Sequence, residues 1–244
     1  ISEHHFDVIY LFGLGACFSI VLLFRTKDTF SDSFLIGVTF TNGILFTFLL
    51  LLVVLRFFST DYVSLFAVIT ICCLIYSTIL HSRSDWNFAS AFYVLYGFMA
   101  MSIAIYGLFG LPRVYLLLSV QSLIVVSMAL WFRNRLIAIL NSVLFMTILT
   151  VYLLSSKSVD GVNFSFALIA LISARIINCK RSRLQIQTDL IRNLYLIEGF
   201  FMVLYALFHA VPRQFVTLSW TMAALLYFLL SFILKNVKYR YMTL

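Results

Sequence analysis

Nine apolar stretches run along the 244 residues, and the charges between them fall almost entirely on alternate connections. A chain arranged in this way has a lipid bilayer as its solvent. Hydrocarbon offers no hydrogen-bond partner to backbone N–H and C=O groups, so a spanning segment must satisfy them within a helix or around a closed barrel. Unbroken apolar runs of roughly 17 to 25 residues choose the helix, and the alternation of a barrel strand is missing. Composition agrees. The chain is 63% hydrophobic and 11% charged, with a mean hydropathy of +1.06, whereas soluble domains carry about 25% charged residues.

The expected fold is all-α, a polytopic transmembrane helical bundle of about nine spans at 8–24, 34–55, 62–80, 88–110, 114–132, 136–154, 162–178, 193–210 and 214–234. No polar segment is long enough for a separate soluble domain, so residues 1–244 read as a single integral membrane domain. The net charge of +8 sits at span ends, where anionic headgroups attract it. The loops are too short for a nucleic-acid-reading module, and no nucleic-acid partner is expected. The chain opens on Ile1, with Glu3 and Asp7 where a signal peptide carries positive charge, which reads as a processed or partial N-terminus.

Lys and Arg are retained on the cytoplasmic side during insertion, so their distribution gives an orientation. Thirteen lie on one set of connections: Arg25, Lys27, Arg83, Arg133, Arg135, Arg175, Lys180, Arg181, Arg183, Arg192, Lys235, Lys238 and Arg240. Arg56, Arg113, Lys157 and Arg213 make up the other four of the seventeen. The expectation is an N-terminus outside and a C-terminus in the cytoplasm. Span seven is bounded closely by Asp160 and Arg175, yet deleting it would reverse every later span and weaken the charge separation. The connection from Cys179 to Arg192 mixes Leu184, Ile186, Leu190 and Ile191 with basic residues and reads either as an interfacial segment or as a basic solvated linker, and Thr188 stands where a cap would.

Leu111-Pro112-Arg113 recurs as Val211-Pro212-Arg213, and at the same offset Leu118, Ser119, Leu130 and Phe132 match Leu218, Ser219, Leu230 and Phe232. Residues 88–132 and 193–234 therefore read as a parallel internal repeat of a two-helix hairpin. Spans ending in Arg-Asn-Arg or Lys-Asn-Val-Lys-Tyr-Arg after a Leu-Pro or Val-Pro turn resemble the repeated hairpins of large bacterial multi-spanning proteins that form a family of unknown function. The resemblance covers residues 88–244, implies a bacterial inner-membrane location, and assigns no activity.

An ionisable side chain inside a span is a functional candidate, because leaving it unpaired in lipid is costly. Glu198 is the carboxylate that qualifies. Arg192, Tyr195, Glu198, Met202, Tyr205 and His209 follow steps of three and four and so share one helix face. Tyr195, Glu198, Met202, Tyr205 and His209 are the expected substrate-binding residues. The structural alternative is an ion pair of Glu198 with Arg175 or Arg192. In the fourth span Tyr93, Gly97, Ala100, Ala104 and Gly107 form a row suited to close helix packing, and Asn42, Gln121, Asn141 and Asn178 read as buried amides that join helices.

No catalytic residue is assigned: eight of the nine acidic residues lie at or beyond span ends. Cys17, Cys72, Cys73 and Cys179 lack metal-binding spacing. Glu3, His4, His5 and Asp7 lack a ligand set, so neither metal nor cofactor is expected. The functional expectation is binding or transport of a hydrophobic or weakly polar small molecule or lipid through the bundle. The alternatives are an accessory or scaffold subunit among other membrane protein subunits, and a membrane sensory module.

Overall fold

A computed structural model describes residues 5–23, 32–57, 61–83, 87–155, 159–179 and 189–233. Among the described residues there are nine α-helices and no strand: α1 (His5–Leu23), α2 (Asp32–Phe57), α3 (Tyr62–Arg83), α4 (Asn87–Leu108), α5 (Arg113–Trp131), α6 (Arg135–Leu154), α7 (Asp160–Cys179), α8 (Asp189–Ala210) and α9 (Val216–Ile233). Helices α2 to α9 are eight elements long and apolar enough to cross a membrane. The chain is an all-α polytopic bundle and an integral membrane protein.

Each expected span coincides with a helix. The largest difference is at α8, which begins at Asp189 rather than 193. A carboxylate in the first turn is favoured by the free N–H groups there, and Asp189 ion-pairs with Arg192 one turn later. Leu190 and Ile191 therefore belong to the first turn of α8. Lys180, Arg181, Arg183, Leu184, Ile186 and Thr188 lie outside the described residues, as do Glu3 and His4 of the metal reading.

The chain divides into two compact units, Ile1–Leu108 and Phe109–Leu244. In the first, α3 and α4 form a close antiparallel pair. A Cβ on Gly97 would stand 3.2 Å from the Cβ of Cys73, an approach that only a small residue permits. Ala100 and Ala104, the next positions on that face, are buried with Phe66 and Ile69 of α3 and Leu50 and Val54 of α2. Helix α1 lies on α2 through an edge-to-face contact of Phe12 with Phe46, centroids 5.6 Å apart.

In the second unit α5, α6, α7 and α8 run up and down. Rings form a continuous ladder between them: Tyr115 to Tyr152 at 5.1 Å, then Tyr152 to Phe166, Phe166 to Phe145 and Phe145 to Tyr195, each at 5.5 Å. Helix α9 returns along α8, where Tyr227 meets Phe200. The antiparallel order gathers Arg133, Arg135, Arg175 and Arg192 at one end of this unit and Arg113 and Arg213 at the other.

The α5–α6 turn explains itself locally. Asn134 N–H bonds back to Ala129 O, and the Asn134 side chain accepts from Leu136 N–H at 2.9 Å, which closes one helix and caps the next. Arg133 between them has φ 51°, a left-handed conformation that disfavours any residue with a Cβ. Arg133→Gly is expected to raise stability by about 1 kcal/mol, read from the thermal midpoint of the solubilised protein.

The two proline turns share local chemistry. Tyr115 N–H bonds to Pro112 O and Phe215 N–H to Pro212 O, while Ser119 and Ser219 each donate to the carbonyl three residues back at 2.7 Å. They differ in path and packing. Pro112 (ψ 0°) leads directly into α5, whereas Pro212 (ψ 141°) leads through a 3-10 turn, Arg213–Phe215. The α5 helix is half-buried, while α9 buries only Val216, Tyr227 and Ser231.

Candidate functional site

The face expected on α8 is present but divides into two parts. Arg192, Tyr195, Glu198 and Met202 are buried, Tyr205 is half-buried and His209 is exposed. Arg192 is committed at the helix start, where one guanidinium nitrogen pairs with Asp189 and another donates to Asn178 Oδ1 of α7 at 2.5 Å. Glu198 lies six residues further on, ~9 Å along the axis. Among the described residues no ion pair joins Glu198 to Arg192 or Arg175, and both carboxylate oxygens lack a hydrogen-bond partner. The ion-pair expectation is thus corrected: Asp189 and Asn178 hold Arg192 instead.

Tyr195 is a structural joint. Asn141 Nδ2 of α6 donates to its hydroxyl at 3.0 Å and also meets the Ser122 hydroxyl and carbonyl of α5 at 2.9 and 3.1 Å. Three helices are tied through one amide, as expected of Asn141. Toward the other end Met202, Tyr205 and His209 join Leu153, Phe201 and Trp220 along an open apolar groove of about 520 Å³. His209 packs on Tyr205 with centroids 4.3 Å apart and bonds through Nδ1 to the Tyr205 carbonyl. Glu198 and Tyr195 do not line this groove.

A better-formed site lies in the first unit, among α1, α2, α3 and α4. It is a cleft of about 560 Å³, within the range of small-molecule sites. Its apolar floor is made by Phe12, Phe46, Ile69 and Phe92, and its polar groups are Ser19, Asn42, Tyr76, Tyr93 and Tyr96. Small residues on α1 make the space. A side chain added at Gly13 would meet nothing within 4 Å, while Gly15 leaves room for the Phe46 ring. Among the described residues that line the cleft none is an Asp, Glu, Lys or Arg.

The hydroxyls are ordered by their own bonds. Ser19 donates to the Gly15 carbonyl at 2.8 Å, so at the 2.7 Å contact between Ser19 Oγ and Tyr93 Oη the tyrosine is the donor. Tyr76 donates to the Ser19 carbonyl. Each phenol has one proton to give. Tyr76 and Tyr93 have both given theirs to α1, and the Tyr93 oxygen is also bonded by the Asn42 side chain, so the Tyr76 oxygen is the acceptor left toward a guest. Tyr93 stands six residues into α4, ~9 Å from its start, so the hydroxyl end of the cleft lies near one end of the helices.

The sequence offered signals for this site without joining them. By sequence Asn42 reads as a helix-joining amide and Tyr93 as the head of a packing row, yet both line the cleft. The missed pattern was Gly13, Gly15, Ala16 and Ser19 on α1, small residues opposite the aromatics of α4. No family model, curated protein or solved structure matches the chain.

Proposed function

We propose that this integral membrane protein binds an uncharged amphiphile, a hydrophobic small molecule or lipid with a hydrogen-bond-donating head, in the cleft between α1 and α4. The observation that carries the reading is the cleft itself: apolar and aromatic over most of its wall, with no charged side chain among the described residues that line it, and with two phenols at one end whose protons are already given to α1. A charged guest would meet no counter-charge among the described lining residues, at a cost of several kcal/mol in a low-dielectric site. An alcohol head would supply the missing donor. Movement of the same guest through the membrane is the transport form of this proposal.

A long-chain alcohol bearing a photoreactive diazirine tests it. In nanodiscs the probe is expected to crosslink to α1, α3 or α4 around Gly13, Tyr76 and Tyr93, and the anionic fatty acid of equal length to crosslink far less. Gly13→Phe projects a ring into open space and should abolish crosslinking while the protein stays monodisperse and helical. Equal labelling by alcohol and acid, or labelling that survives Gly13→Phe, would refute the cleft as the site.

The proposed orientation keeps the N-terminus outside and the C-terminus in the cytoplasm of a bacterial inner membrane. The gathering of Arg133, Arg135, Arg175 and Arg192 at one end of the second unit supports it. Kinship with the bacterial multi-spanning family of unknown function remains part of the proposal, supported in its duplicated hairpin by the shared bonding of the two proline turns. The outward face of α9, with Leu218, Met222, Leu225 and Leu229 exposed, suits acyl chains as well as a partner span and so gives no preference to a subunit role.

A further inference from the structure

We infer that Glu198 is a proton-binding site, a carboxylic acid held inside the second unit in its neutral form. The inference is independent of the cleft, which lies in the other unit. Glu198 is 4% exposed, and neither of its oxygens has a hydrogen-bond partner among the described residues. A carboxylate so placed would be shut off from water and would have no counter-ion among the described residues, and in apolar surroundings such a group takes up a proton instead.

The charged and titratable groups around it do not alter this. On α8 itself Arg192 is engaged by Asp189 and Asn178, and Tyr195 receives its bond from Asn141. On α7, Arg175 makes no ion pair with Glu198 among the described residues, and Asp160 and Cys179 stand at the helix ends. The α6 helix contributes Tyr152, bonded to Asn163, and Arg135 at its first residue, and α9 contributes Tyr227. None of these donates to the Glu198 oxygens.

A proton fits where a metal ion does not. Among the described residues no group of three or more His, Cys, Asp or Glu side chains comes together, so a cation would have a single carboxylate. Space is short as well. The neighbouring Gly199 brings α7 so close that a Cβ there would lie 2.9 Å from Leu171 Cδ2 and 3.4 Å from Ala170 Cβ. A hydrated cation needs several oxygen ligands and room for them; a bound proton needs neither.

The sequence supplies a test that needs no mutation. Glu3 and Glu198 are the chain's two glutamates, and Glu198-Gly199 is its one Glu-Gly pair. Protein containing [13C]glutamate and [15N]glycine, reconstituted in zwitterionic lipid at neutral pH, yields a Glu198 signal selected through its peptide bond to Gly199. The expected side-chain carboxyl resonance is that of a carboxylic acid, unmoved by added sodium. A carboxylate resonance, or one that shifts with sodium, overturns the inference. Glu198→Gln, a neutral side chain of the same shape, should leave the folded yield unchanged, and loss of the folded protein would count against the neutral form.

Discussion

Asn141→Leu destabilises the second unit by about 1 to 2 kcal/mol, since the two amide protons it removes serve three acceptors and a hydrogen bond between membrane helices is typically worth ~0.6 kcal/mol. The size of the effect comes from what is left behind. Tyr195 and Ser122 are buried, so no water replaces the lost amide, and an orphaned polar group costs more than the bond that served it. Ser122→Ala retains the Asn141–Tyr195 bond and the bond to the Ser122 carbonyl, and should cost no more than about 1 kcal/mol. Thermal unfolding of the solubilised variants measures both. Equal midpoints for Asn141→Leu and the parent would show that α5, α6 and α8 are held by ring packing alone.

Gly199→Leu is the second large effect, expected at about 1 to 3 kcal/mol for overpacking a close helix contact. The first added carbon already approaches Leu171, whose flexible end can turn aside, but the rest of the leucine must displace Ala170 and with it the α7 backbone. Gly199→Ala should therefore cost less than ~1 kcal/mol. The same displacement would part Asn178 from Arg192, since that bond crosses the same pair of helices. A Leu variant as stable as the Ala variant would mean that α7 and α8 slide apart without cost.

The helices were legible because the bilayer imposes one length and one kind of backbone on every crossing. The α8 face was legible too: steps of three and four put Arg192, Tyr195, Glu198 and Met202 on one side before any packing is known, and all four are buried. What lay against that face was not. Arg192 finds Asp189 and Asn178 because α8 starts earlier than its apolar run, and charge at a helix start looks like a break in a hydropathy reading. The cleft was invisible for another reason. It depends on the open space at Gly13, on Gly15 facing Phe46, and on Tyr76 and Tyr93 meeting Ser19, contacts among four helices that no single periodicity encodes.

The three-residue link Phe132–Asn134 also bears on biogenesis. So short a tether cannot let its two helices enter the bilayer separately, and they must pass from the ribosome into lipid as one piece with its tip on a single side. The ends of α7 and α8 that carry Arg175 and Arg192 share that side with the tip. One reporter fused there would therefore read the sidedness of every crossing from Arg113 onward.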